Sequence, residues 1–356
     1  MDKLRFRIKK NGKYGYIDER GNEVIEPVFD HANVSFSEGL AVVRKAGRSG
    51  YINPSGSFAI APRYTGALWF ENGLALVKND DGQWGYIDPY GTVKIPFQNF
   101  DTQPWPFSEG FACIAKNGKQ GFINNTGAPA IPAIFDYARN FSEGRAVVRL
   151  DGRYAYIDYL GKIVSPGFYD DAGDFLDGAA IVTQNGKDYI IDSNFNVLLD
   201  PKFEPCCGFI EGIATAVCQG RLCYVNKANE VINDQMDASA VDPSAELICF
   251  SENRAPICLG GKWGFIDKTG RVAIKPFSQS IGAFSEGFAA FANNENRYGF
   301  IDAQGEIVIT PKFGSITAGR SFRNGVARAK TDAWGYIDKT GNFIWKAPKT
   351  VPAQHC

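Results

Sequence analysis

Eight basic residues recur in one phase along the chain, two positions ahead of the glycine position of the Trp/Tyr-Gly pair: Lys13, Arg48, Lys119, Arg153, Lys187, Arg221, Lys262 and Arg297, with only Gln83 and Ala333 departing. The next position along carries Tyr14, Trp84, Tyr154, Trp263, Tyr298 and Trp334, four of them directly after a basic residue. Cations beside flat aromatic faces can grip a phosphate-bearing or polymeric ligand. The competing reading is that they pair with neighbouring acids and lay their aliphatic stems over the rings, which suits a net charge of -1.

A second column is acidic: Glu38, Glu109, Glu143, Asp177, Glu211, Glu252 and Glu286 in the motif Phe-Ser-Glu-Gly. Two carboxylates flanking a glycosidic bond would make a glycoside hydrolase. Nothing in the sequence selects a pair, so a turn or surface role is the expectation. A third column is Asp or Asn without exception: Asp18, Asn53, Asp88, Asn124, Asp158, Asp192, Asn226, Asp267, Asp302 and Asp338. Glycine follows three residues later in most copies, with Asn229 and Phe195 as substitutes, and Asx-x-x-Gly is turn chemistry. Only His31 and His355 exist, which leaves almost no material for a Ser-His-Asp, Cys-His or histidine-rich metal site. No Gly-x-x-x-x-Gly-Lys-Ser/Thr occurs. Six of the eight cysteines (Cys206, Cys207, Cys218, Cys223, Cys249, Cys258) cluster in the sequence without a Cys-x-x-Cys, so reduced thiols packed as small hydrophobes are expected rather than zinc.

The elements that position these columns form a repeat. The isoleucine of Gly-Tyr-Ile-Asp recurs as Ile17, Ile52, Ile87, Ile123, Ile157, Ile191, Val225, Ile266, Ile301 and Ile337, at steps of 34 to 36 residues except one of 41. Asn11-Gly12, Asn117-Gly118 and Asp151-Gly152 mark tight hairpins, because a type I′ turn needs positive φ at both central residues. Phe36, Phe70, Phe107, Phe141, Phe175, Phe209, Phe250, Phe284 and Phe322 form a column five residues before an alanine column, a large and a small residue at fixed phase as stacked repeats require. Each unit therefore reads as three short strands, in the second unit near 40–45, 49–53 and 57–61, the last ended by a proline that cannot donate to a ladder.

The fold expected is an all-β tandem array of about ten three-stranded β-meander units. They lie near 1–29, 36–64, 70–97, 107–135, 141–168, 175–203, 209–233, 250–277, 284–313 and 322–348, followed by a tail at 349–356. An open superhelical or solenoid-like stack is favoured over a closed propeller-like ring or two arrays, since propellers typically close with four to eight four-stranded blades. Charges near the start and the absence of a run of roughly 20 apolar residues predict a soluble, cytoplasmic protein without a membrane partner. The balance of 38 basic and 39 acidic residues argues against nucleic acid.

Trp84-Gly85, Trp263-Gly264 and Trp334-Gly335, with Gly-Lys before the second and Phe/Tyr-Ile-Asp after all three, resemble the WG-repeat (KWG-repeat) family of bacterial proteins. The resemblance implies a β-rich repeat module, often outside the catalytic part of larger proteins, with interaction as its role and no catalytic residues to carry over. A non-enzymatic scaffold without a cofactor, binding a protein or a polymeric or anionic ligand, is the expectation, with a carbohydrate-binding or carbohydrate-active protein and a structural spacer as alternatives. Residues 188–258 break several columns at once, and an inserted loop at 234–246 is expected to project from one edge.

Overall fold

The computed structural model describes residues 4–237, 249–316 and 321–348. Every regular element among them is a β-strand, and the strands form ten small antiparallel sheets in sequence order, so the fold is an all-β tandem array of β-meander units. The chain divides into two compact units, residues 1–178 with 182–186 and residues 179–181 with 187–356. Sheets one to five lie in the former and seven to ten in the latter; the division falls at the sixth.

The second sheet represents the plan. A hairpin of Ala41–Lys45 and Arg48–Ile52 is joined by Phe58–Tyr64 on one side and by a short lead strand, His31–Ala32, on the other. Six other sheets carry a lead strand at the corresponding place, an addition to the three strands expected. The hairpin turn uses Ala46 and Gly47 at φ of 50° and 77°, and Asn11-Gly12 and Asn117-Gly118 do the same, the left-handed pair that a type I′ turn demands.

Proline does not end the third strand. Phe58–Tyr64 runs through Pro62, and Val272–Ser278 through Pro276. The register explains this: Ser49 pairs with Tyr64 and Tyr51 with Ile60, so Ala61, Pro62 and Arg63 of the third strand stand opposite Gly50 alone, and the proline sits in that bulge on an edge strand where its missing N–H costs no ladder bond. The bulge closes onto Gly50, where a Cβ would lie 2.6 Å from the Ile60 carbonyl oxygen and 2.7 Å from the Pro62 nitrogen. Close backbone approach is thus the reason for the glycine of the Trp/Tyr-Gly pair. Where Ala155 and Tyr189 replace it, the third strand shrinks to isolated bridges, Tyr154 to Tyr169, Ile157 to Ile163 and Ile191 to Val197. At Cys223 the bulge loses a residue instead, Leu222 pairing with Met236 and Tyr224 with Asn233. That third strand, Val231–Asp237, occupies the start of the expected inserted loop; residues 238–246 of that loop lie outside those described.

The core lies between successive sheets. The ring two residues after the basic column's aromatic packs on the phenylalanine of the next unit, as in Tyr51–Phe70 (4.8 Å between centroids), Tyr86–Phe107 (4.8 Å), Phe122–Phe141 (5.0 Å), Phe265–Phe284 (4.7 Å) and Phe300–Phe322 (4.8 Å). Tyr16, Tyr51 and Tyr86 at this position are fully buried, and each hydroxyl donates to a carbonyl ahead of the next phenylalanine: Tyr16 to Asn33 (2.7 Å), Tyr51 to Leu68 (2.8 Å) and Tyr86 to Trp105 (2.8 Å).

Candidate functional site

The acidic column is spent on assembly. Glu109 accepts the main-chain N–H groups of Glu143 (2.8 Å) and Gly144 (3.0 Å), and Glu252 those of Glu286 (2.6 Å) and Gly287 (2.9 Å). The same contact joins Glu38 to Gly73 and Glu143 to Gly178. Each donor site is a two-residue turn in which a Glu, Asp or Asn and the glycine after it both have positive φ, as at Glu143 (51°) and Gly144 (77°). This geometry points consecutive N–H groups at one anion. Burial opposes the charge on Glu286, yet the Gly325 N–H and Lys339 outweigh it and hold the carboxyl below its ordinary value. Beside these contacts, Ser37, Ser108, Ser142, Ser251 and Ser285 donate to the carbonyls of Phe70, Phe141, Phe175, Phe284 and Phe322. In the third unit Glu71 replaces the serine and Asn72 donates to Phe107 instead (2.9 Å).

The Asx column is turn structure throughout. Asp18 accepts the N–H groups of Arg20 and Asn22, Asn124 those of Thr126 and Ala128, and Asp338 those of Thr340 and Asn342, with the same pattern at the seven other positions. Phe195 adopts the left-handed conformation (φ 67°) where its counterparts are glycine.

Each basic side chain opens the second strand of its hairpin, except Arg297, which stands just before Tyr298–Asp302. Lys13 pairs with Asp30, Arg48 with Asp80, Lys119 with Asp136 (2.6 Å) and Arg153 with Asp170 (3.6 Å), while Lys262 donates to Asn294 (3.2 Å). These acids and amide belong to the following connection or the next unit's hairpin, so the column clamps neighbours together. Lys187, Arg221 and Arg297 are exposed. All six aromatics of the column are half-buried, and their cations come from the first strand rather than from the basic column: Lys9 lies over Tyr14, Lys78 over Trp84, Arg149 over Tyr154 and Arg328 over Trp334. Trp263 packs into the cores on both sides of its sheet, and Tyr298 into that of the last. His31 is exposed with its ring 5.8 Å from Tyr14, and His355 lies outside the described residues.

In the irregular stretch, Cys206, Cys207, Cys249 and Cys258 share one apolar cluster, and the sulfurs of Cys207 and Cys249 stand 2.8 Å apart. The Cys249 hydrogen bond, aided by Thr215 and against burial, holds the Cys207 thiol below its usual range. Among the described residues no group of three or more His, Cys, Asp or Glu side chains could hold a metal ion.

A cleft of about 430 Å³ lies in the first compact unit. Trp69, in the lead strand Gly66–Glu71 of the third sheet, and Trp105, on the connection that enters the fourth unit, line it and are 43% and 48% exposed. The Trp69 indole N–H donates to Glu71 (3.3 Å). Gln103, Pro104 and Pro106 add to the wall, and Asn140 donates to the Pro106 carbonyl (3.2 Å), which leaves its Oδ1 buried without a hydrogen-bond partner. No basic side chain lines the cleft. Reading the columns missed this site because, apart from Glu71 at the serine position, its residues belong to none of them. The available signal was two of six tryptophans, Trp69 and Trp105, standing outside the Trp-Gly position beside a column phenylalanine.

The structure is similar to a eukaryotic initiation factor (TM-score 0.52, 13% identity, 86% of this chain and 95% of that one). It also aligns with the computationally designed Ika8 protein (TM-score 0.37, 13% identity, 79% and 94%) and with BamB from Moraxella catarrhalis (TM-score 0.35, 10% identity, 87% and 94%). No curated protein matches the chain. The model of the WG-containing repeat matches residues 14–48, 50–82, 84–119, 121–154, 154–187, 263–296 and 298–333. With seven matched copies over more than half of its length, and the glycine of each Trp/Tyr-Gly pair explained by the bulge it admits, the chain belongs to the WG-containing repeat family.

Proposed function

We propose that this protein is a non-enzymatic binding scaffold that engages a macromolecular partner through the Trp69–Trp105 cleft. The observation that carries this reading is the division of labour among polar residues. The repeated carboxylates are occupied in turns and in contacts between units, as Glu109 is by Glu143, Gly144 and Tyr159, while the half-exposed Trp69 and Trp105 stand outside the repeated aromatic positions. Catalysis by two carboxylates would need a pair released from such duties. The stripe from Lys13 to Arg297 supports a lesser reading, an anionic ligand, which would have to displace the partners of Lys13, Arg48, Lys119 and Arg153. The test is affinity capture with the intact protein and with Trp69→Ala/Trp105→Ala, together with a reducing-end assay on polysaccharides. Partner recovery lost in the double variant, with no hydrolysis, is the expected result. Hydrolysis abolished by Glu109→Gln or Glu252→Gln would overturn it.

A further inference from the structure

We infer that Cys207 and Cys249 form an oxidisable dithiol that a peroxide closes to a disulfide, fastening the seventh unit to the eighth. The repeat itself accounts for the meeting of these two positions. Cys207 stands two residues before Phe209, and Cys249 one residue before Phe250. At the junction of the fifth and sixth units, Arg139 and Asp174 occupy the same two places, two before Phe141 and one before Phe175, and form an ion pair (3.7 Å). Asn140, at the place of Cys249, likewise reaches back to the connection of the preceding unit, at the Pro106 carbonyl. Stacking therefore brings this pair of side chains together whatever their chemistry. At the seventh junction the chemistry is two free thiols with their sulfurs 2.8 Å apart.

The two sulfurs are not equivalent. Cys207 is half-buried and Cys249 buried, so an oxidant from solvent meets Cys207 first. The main chain there is held in place, since the N–H groups of Cys206 (2.8 Å) and Cys207 (3.3 Å) both donate to the Thr215 carbonyl. The Cys249 hydrogen bond and Thr215 favour a thiolate at Cys207, whereas burial pushes the adjacent Cys206 thiol up to about 11 and keeps it protonated at neutral pH. The Cys207 thiolate attacks one peroxide oxygen, the O–O bond breaks, and a sulfenic acid forms with release of hydroxide. The Cys249 sulfur then attacks Cys207, the S–S bond forms, and the displaced hydroxide leaves with the Cys249 proton as water. Two thiols are oxidised and one peroxide is reduced to two waters. The bond spans 42 positions and encloses Ile213–Cys218, Arg221–Asn226 and Val231–Asp237, the hairpin and third strand of the seventh sheet. It also takes the place of a hydrogen bond. Tyr16, Tyr51 and Tyr86 anchor the connection ahead of the next phenylalanine, but the Tyr224 hydroxyl spends its one proton on Pro256, in the strand Ala255–Leu259 (2.6 Å).

The test takes the reduced full chain, adds stoichiometric hydrogen peroxide, alkylates the remaining thiols and maps tryptic peptides by mass spectrometry. A disulfide should join peptides 203–221 and 228–254, persist in Cys206→Ser and Cys218→Ser, and vanish in Cys207→Ser. In Cys249→Ala, the sulfenic-acid reagent dimedone should label Cys207 instead. Oxidation should raise the melting temperature by about 5 °C or more, a dithiol reductant should reverse the shift, and Cys207→Ser should abolish it. Cys249 left unlinked, Cys249 joined to any other cysteine, or a bond that leaves melting unchanged would each overturn the inference. The first result would mark the pair as thiols packed as small hydrophobes and nothing more.

Discussion

Glu109 illustrates how one side chain's environment decides between chemistry and structure. Its two oxygens accept two main-chain N–H groups of the next unit and the Tyr159 hydroxyl (3.0 Å), so the carboxylate is a connector. Glu109→Ala should lower stability by about 1–2 kcal/mol, and Glu109→Gln by less because one acceptor survives, both measured by chemical denaturation. The Asx column makes stability depend on pH. Hydrogen bonds from Asn22, Asn196 and Thr269, followed by main-chain N–H groups, hold Asp18, Asp192 and Asp267 below the ordinary value of 3.8. Their folded pKa values lie below the unfolded one, so their contribution is present above about pH 4 and is lost as the pH falls through the folded values. The denaturation midpoint should therefore decline below pH 4 in a titration at fixed ionic strength, and Asp267→Asn, which keeps the turn acceptor, should flatten part of that decline.

At the scale of the element, the full bulge of the third strand exists because a glycine faces it. The model of Gly264 with a Cβ brings that atom 2.4 Å from the Ile274 carbonyl oxygen and 2.7 Å from the Pro276 nitrogen, both main chain and neither free to rotate away. Gly264→Ala should cost about 1–3 kcal/mol, as other overpacked sites do, and should lose hydrogen-exchange protection along Val272–Ser278 before the hairpin Ala255–Leu259 and Lys262–Ile266. Equal loss in all three strands would mean that the bulge is not the weak point. The natural comparison is already in the chain, since Ala155 stands in the fifth sheet and the third strand there is reduced to isolated bridges.

On the scale of the molecule, each sheet borrows its core from a neighbour. Phe141 is fully buried, with its ring 5.0 Å from Phe122 of the preceding unit and 4.9 Å from Phe111. Phe141→Ala removes a ring shared by two units and should cost about 3–5 kcal/mol. In an array held by nearest-neighbour contacts the damage stays local, so exchange should accelerate in Phe111–Lys116 and Ala146–Leu150 and remain slow in Phe6–Lys10. A uniform acceleration over the first compact unit would instead indicate one cooperative block.

The period, the Asx turns, the type I′ hairpins and the phenylalanine column were legible in the sequence because each is set by local conformational energy or repeats at a fixed phase. Asp18 bonding its own turn and Asn11-Gly12 at positive φ need no distant partner to be inferred. Tertiary structure decided the rest. Pro62 lies inside a strand because Gly50, on another strand, makes room for a bulge. Lys78, from the neighbouring strand, lies over Trp84, while the preceding basic positions are turned to acids such as Asp80 and Asp136. The cleft at Trp69 and Trp105 depends on which surfaces remain uncovered once units stack, a property of distances between residues remote in sequence, and no column records it.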